Sequence, residues 1–189
     1  MRKIICYFFI LYSSLAEANI SLHADIGLMQ DQNSIASRNL VENYFYDLSI
    51  YGKVFQRTKI YFGFEYVFIS SSNPLTVYTS AVLTSSNPMV GIKYVAGKND
   101  LIAMSLAGSP LTAATYSVTG LNSEEWSGTA VMAKISLQPE LSNSVRANMS
   151  IAYFSANYST RTSVASSSSN VSSFSRNLLV PALGLSYFF

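Results

Sequence analysis

From Ile20 to Leu28 every second residue is apolar, with Ile20, Leu22, Ala24, Ile26 and Leu28 interleaved by Ser21, His23, Asp25 and Gly27. Successive side chains of a β-strand point to opposite faces, so this alternation describes a strand with one apolar face. The pattern returns from Lys59 to Phe68, where Ile60, Phe62, Phe64, Tyr66 and Phe68 oppose Lys59, Tyr61, Gly63, Glu65 and Val67. It returns again from Val145 to Tyr153, with Val145, Ala147, Met149, Ile151 and Tyr153 opposite Arg146, Asn148, Ser150 and Ala152. Each segment has the length of about 9–11 residues that a tilted strand needs to cross a bilayer. Weaker alternation over Asn43–Tyr51, Val90–Ala96, Ile102–Ala107, Thr129–Leu137 and Leu179–Phe189 brings the number of strands to eight.

Composition narrows the class. Only 12% of the residues are charged, about half the globular norm of roughly 25%. Yet the longest apolar run, Ile4 to Tyr12, falls well short of the ~20 residues of a spanning helix. An apolar share of 49% argues against a disordered chain, and a net charge of +2 without a basic cluster gives no support to nucleic-acid binding.

The first segment reads as a leader. Arg2 and Lys3 precede the apolar stretch Ile4 to Leu11, and Ala16-Glu17-Ala18 has the small-x-small form of a cleavage site. Residues 1–18 are thus expected to be a cleaved signal peptide and 19–189 a single barrel domain. The one cysteine, Cys6, lies in the leader, so the exported part has no disulfide to stabilise it.

Connections alternate in length. Gly52–Arg57, Gly97–Asp100 and Gln138–Ser144 are short, whereas Gln30–Leu40, Ser70–Asn87, Ser109–Glu125 and Asn157–Arg176 are long. Short turns on one side and long loops on the other are the rhythm of an up-and-down outer-membrane barrel with an even strand number, periplasmic termini and long outer loops. Thr76–Thr84 and Leu111–Thr119 are rich in Thr, Val and Tyr and could add two further spanning strands, making ten. Ser71-Ser72-Asn73-Pro74 and Ser85-Ser86-Asn87-Pro88 read as two similar turns. A soluble sandwich or lipocalin-like barrel has the same alternation, because sequence parity alone does not say which face is inside.

The last nine residues, Pro181-Ala182-Leu183-Gly184-Leu185-Ser186-Tyr187-Phe188-Phe189, place Gly184, Tyr187 and a terminal Phe189 as the carboxy-terminal β-signal of bacterial outer-membrane proteins does. With the leader and the alternating strands, the chain resembles the small eight-stranded outer-membrane barrels of the OmpA-domain and OmpX type. The resemblance is architectural outside the last strand. It implies an all-β, antiparallel up-and-down transmembrane β-barrel in the outer membrane of a Gram-negative bacterium. Its implied partners are outer-membrane lipids, the barrel assembly machinery and periplasmic chaperones, with Gly184, Tyr187 and Phe189 as the assembly signal. A homo-oligomer is possible but not indicated.

If the apolar face meets lipid, His23, Asp25, Asp47, Lys59, Glu65, Lys93, Lys134 and Arg146 point into the lumen, three acids facing four bases. Charges removed from bulk water need partners, and an eight-stranded barrel is just wide enough for side chains to fill. The residues therefore read as a plug; the rival is a porin-like selectivity lining. A lipid-modifying enzyme comes third, because the only histidine, His23, falls on the inner face near the periplasmic end, away from outer-leaflet lipid. Without a cysteine to join it, His23 offers no transition-metal site, and no cofactor or catalytic residue is expected. Tyr44, Tyr66, Phe68, Trp126 and Tyr153 suit an outer interfacial girdle, and Tyr94, with Tyr187 and Phe189, an inner one. The expected role is envelope integrity or surface interaction through the loops.

Overall fold

The computed structural model describes residues 20–31, 40–53, 58–74, 80–120, 123–161 and 173–189. The expected leader and most of the Gln30–Leu40 and Asn157–Arg176 connections lie outside these residues. Eight strands, β1 (Ile20–Asp31), β2 (Leu40–Lys53), β3 (Ile60–Pro74), β4 (Ser80–Ala96), β5 (Ile102–Val118), β6 (Glu124–Leu137), β7 (Val145–Arg161) and β8 (Phe174–Phe188), pair antiparallel in chain order. Pairing of β1 with β8 closes the ring. The only helical element among the described residues is the 3₁₀ turn Lys98–Asp100 between β4 and β5.

The alternation decides sidedness. Leu22, Ile26, Leu48, Phe64, Ile92, Leu106, Ile135, Ile151 and Leu183 are all exposed on the outside, whereas His23, Asp25, Asp47, Glu65, Lys93 and Lys134 are buried inside. This is the inverse of a water-soluble barrel, which hides its apolar residues within, and it suits a hydrocarbon surrounding. Outward apolar rows such as Leu22–Leu28, Tyr44–Ile50 and Leu179–Tyr187, at ~3.3 Å per residue and a tilt near 40°, give a band roughly 15–20 Å tall.

The ten-strand alternative is excluded. Of Thr76–Thr84 only Ser80–Thr84 lies within the described residues, as the start of β4, and Leu111–Val118 is the end of β5, so among the described residues neither ribbon crosses separately. The two Ser-Ser-Asn-Pro segments are strand as well, with Ser71 paired to Leu83 and Phe68 to Ser86. Strands at the long-loop end thus run past the apolar band. There the sidedness reverses: Ser70, Ser72, Thr84, Ser155, Asn157, Ser175 and Asn177 point outward, while Ile69, Leu83, Tyr158 and Phe174 are buried within. The barrel has a lower part with apolar walls and a polar lumen, and an upper part with polar walls and an apolar core.

Prolines mark where the ladder breaks. Pro88 in β4 and Pro110 in β5 fall where the β4–β5 register shifts, between Ser86 and Val90, and β5 carries an extra residue between Ser109 and Thr112 on its β6 side. Proline brings no N–H to a ladder, and a one-residue bulge absorbs the loss.

Candidate functional site

The lumen of the lower part gathers a cluster of titratable side chains. Inward positions of β1, β2 and β6 bring Asp25, Asp47 and Lys134 together: Lys134 Nζ lies 3.4 Å from Asp25 Oδ2 and pairs closely with Asp47. Asn148 of β7 donates to the other oxygen of Asp25 at 2.6 Å. Glu65 of β3 accepts a hydrogen bond from the Tyr51 hydroxyl. Tyr51 sits over Gly91, where an added Cβ would stand 2.8 Å from its hydroxyl and 3.0 Å from the Ala107 Cβ. A side chain at that position of β4 would push the ring off Glu65.

Toward the short-turn end, Lys93 of β4 donates to Ser21 Oγ at 2.9 Å and lies 2.6 Å from His23 Nε2. Its ammonium also lies over the rings of Tyr51, Tyr61 and Phe188, at 4.9, 5.1 and 5.6 Å. Aromatic faces carry negative potential, so the three rings help hold a buried cation. His23 Nδ1 contacts Ser186 Oγ at 2.5 Å, so both ring nitrogens have partners. Arg146 closes this end, donating to the Asp100 carbonyl at 3.3 Å and stacking 4.5 Å from the Phe188 ring.

Seven of the eight expected lumen residues therefore gather in the lower lumen, in two neighbouring clusters. Lys59 is the exception and a correction: it precedes β3, half its side chain is exposed, and it pairs with Asp100 at 3.0 Å across the short-turn end. The alternation had carried the inward parity one step beyond the end of the strand. With Lys59 outside, Asp25, Asp47 and Glu65 face Lys93, Lys134 and Arg146, and the formal charges balance. A selective pore would present an excess of one sign, whereas these six side chains carry three of each.

Of the expected girdle, Tyr44, Tyr66, Tyr94 and Tyr153 are exposed on the outer wall, and Phe68 is partly exposed there. Tyr187 and Phe189 stack edge to face on the outer wall at the short-turn end, 4.8 Å between centroids. Trp126 is a second correction: it is buried inside the upper part, edge to face with Phe174 at 5.3 Å, and carries Arg161 over its ring at 5.5 Å. It shares the even parity of Lys134, the inward one in β6.

Gly184 has a structural reason of its own. A Cβ there would run into the Ala24 carbonyl and the Asp25 carboxylate, so its lack of a side chain makes room for the lumen network.

Other luminal groups were not singled out by the sequence. Arg176, fully buried, donates to Ser71 Oγ at 2.5 Å and to Ser85 Oγ at 3.3 Å. Arg161 pairs with Glu124 at 2.5 Å. Parity would have placed Arg176 and Glu124 inside, had their strands been followed beyond the apolar band.

No protein-family model matches the chain, and no curated protein matches it. Solved structures do. Neisserial surface protein A (NspA) is 14% identical, with a TM-score of 0.54 over 90% of this chain and 97% of that one. Ail, the attachment invasion locus protein of Yersinia pestis, in complex with the heparin analogue sucrose octasulfate, is 14% identical, with a TM-score of 0.53 over 90% of this chain and 99% of that one. At that identity the likeness shows a shared fold: a small eight-stranded barrel of the outer-membrane type.

Proposed function

We propose that this chain is an integral outer-membrane protein of a Gram-negative bacterium, exported with residues 1–18 as a cleaved leader, whose barrel is a sealed anchor rather than a channel. The observation that carries the reading is the pairing of an apolar outer wall with a lower lumen whose three acids face three bases. Its work is envelope integrity or surface interaction, done by the part that projects from the bilayer. That part has strands that continue beyond the apolar band, with hydroxyl and amide side chains outside and an aromatic core within. No enzymatic role is assigned, since His23 lies in the lumen with both ring nitrogens engaged, away from the outer rim. The assembly machinery and periplasmic chaperones are the proposed partners during biogenesis, reading the last strand through Gly184, Tyr187 and Phe189.

The direct experiment is folding into phospholipid vesicles, followed by liposome swelling with small sugars. The expected protein shows heat-shifted gel mobility, which reports a folded barrel, and leaves the vesicles impermeable. Swelling above the protein-free rate would replace the anchor with a porin-like channel.

A further inference from the structure

The acids and bases of the lower lumen are not evenly mixed. Lys134 pairs with Asp25 and Asp47 in its middle. The other two bases, Lys93 and Arg146, stand toward the short-turn end, and among the described residues no carboxylate is within ion-pair distance of either. Lys93, only 3% exposed, has Ser21, His23 and three aromatic rings around it. Arg146 has the Asp100 carbonyl and the Phe188 ring. The two acids of this end do not supply a counter-charge. Asp100 gives its carboxylate to Lys59, and Glu140, opposite Arg146 in an isolated bridge, is exposed and unpaired.

The two cations meet on one ring. Lys93 Nζ and the Arg146 guanidinium lie 5.6 and 4.5 Å from the centroid of Phe188. Like charges gathered out of bulk water are costly unless an anion joins them, and an aromatic face offsets only part of that cost. Register adds hydroxyl groups beside them: Arg146 is opposite Ser186 across β7 and β8, and Ser186 is opposite His23 across β8 and β1. Arg146 and Phe188 are partly exposed, so the pair is reached from the short-turn end.

We propose that this mouth of the lumen is a binding site for a water-borne phosphate, either inorganic phosphate or the terminal group of a phosphate monoester. The Arg146 fork takes two phosphate oxygens and the Lys93 ammonium a third. Ser186 adds a neutral donor. His23 accepts from Lys93 through Nε2, so its Nδ1 proton goes to the Ser186 oxygen and the hydroxyl hydrogen is left to give. Charge sets the ligand class: two cations without a carboxylate match the charge of about −1.5 to −2 on a phosphate monoester, and a guanidinium fork favours an oxyanion over chloride. Lipid phosphodiesters carry a single charge and lie outside the wall, whereas Lys93 and Arg146 occupy inward positions. The inference goes beyond the anchor reading and does not depend on whether the lumen is sealed above the site.

The test is a calorimetric titration of the barrel, folded in maltoside micelles at neutral pH, with inorganic phosphate at an ionic strength held constant by chloride. The unmodified barrel should bind one phosphate per chain. Arg146→Gln should weaken binding about tenfold, as when hydrogen bonds to a charged group are withdrawn. Arg146→Lys, which keeps the charge and loses the fork, should fall between the two. In parallel, the Arg146 Nε–H resonance of the unmodified protein should shift saturably with phosphate and not with chloride. This second readout decides if Arg146→Gln does not fold. No saturable binding, equal affinity of Arg146→Gln and the unmodified barrel, or an Arg146 shift that chloride reproduces overturns the proposal.

Discussion

Lys93 Nζ and His23 Nε2 lie 2.6 Å apart inside the barrel. Two nitrogens share a hydrogen bond only if one offers a lone pair, and an ammonium has none. With three aromatic rings around Lys93 holding it as the cation, His23 is the acceptor, so its ring is neutral and its proton sits on Nδ1, directed at Ser186. Nitrogen-15 spectra of the folded barrel at pH 7 should show the Nδ1–H tautomer. An Nε2–H or doubly protonated ring would contradict the arrangement.

Lys134 pairs with two buried carboxylates at once. Lys134→Met should lower unfolding stability by about 3–5 kcal/mol, the cost of leaving buried charges uncompensated. Adding Asp47→Asn to that variant should recover part of the loss, because it removes one stranded charge. Urea unfolding from vesicles measures both, and equal stability of the Lys134→Met and unmodified proteins would mean that the network is not formed.

Trp126 is the single tryptophan, and it faces the upper core rather than lipid. Its fluorescence should be blue-shifted and only weakly quenched by phospholipids brominated near the headgroup. Strong quenching would return it to the outer girdle.

Gly184→Ala separates packing from recognition in the last strand. A methyl group there meets the Ala24 backbone and Asp25, so the variant should lose about 1–3 kcal/mol even when refolded from urea without any assembly factor. Removing Phe189, whose side chain is exposed, should instead leave unaided refolding intact and reduce insertion in cells. The reverse pattern would mean that Gly184 is needed for recognition and Phe189 for stability.

How far the sequence was legible follows from what alternation encodes. Where apolar residues face lipid and polar ones the lumen, as in Leu22–Leu28 or Val145–Tyr153, parity gave strand, face and lumen residue together. It failed where the environment outside the wall changes. In β3 the outward residues pass from Phe64 and Tyr66 to Ser70 and Ser72 while Ile69 turns inward, so the apolar parity switches within one strand. Read as a single pattern, that switch looks like the end of a strand, and for this reason the upper parts of β4, β5, β7 and β8 were expected to be loop. Trp126 and Arg176 were misplaced or missed for the same reason. Lys59 erred in the other direction, since parity does not mark the residue at which a strand stops. The partners of Lys93, drawn from β1, β2, β3 and β8, depend on cross-strand register, which no single strand reveals.

The proposal that Asp25, Asp47, Glu65, Lys93, Lys134 and Arg146 seal the lower lumen is tested most directly by planar-bilayer conductance. Purified protein, shown to be folded by heat-shifted mobility, should insert without producing stable unitary currents at physiological salt. Steady, ion-selective steps from the folded protein would contradict it and would make these six residues the lining of a pore.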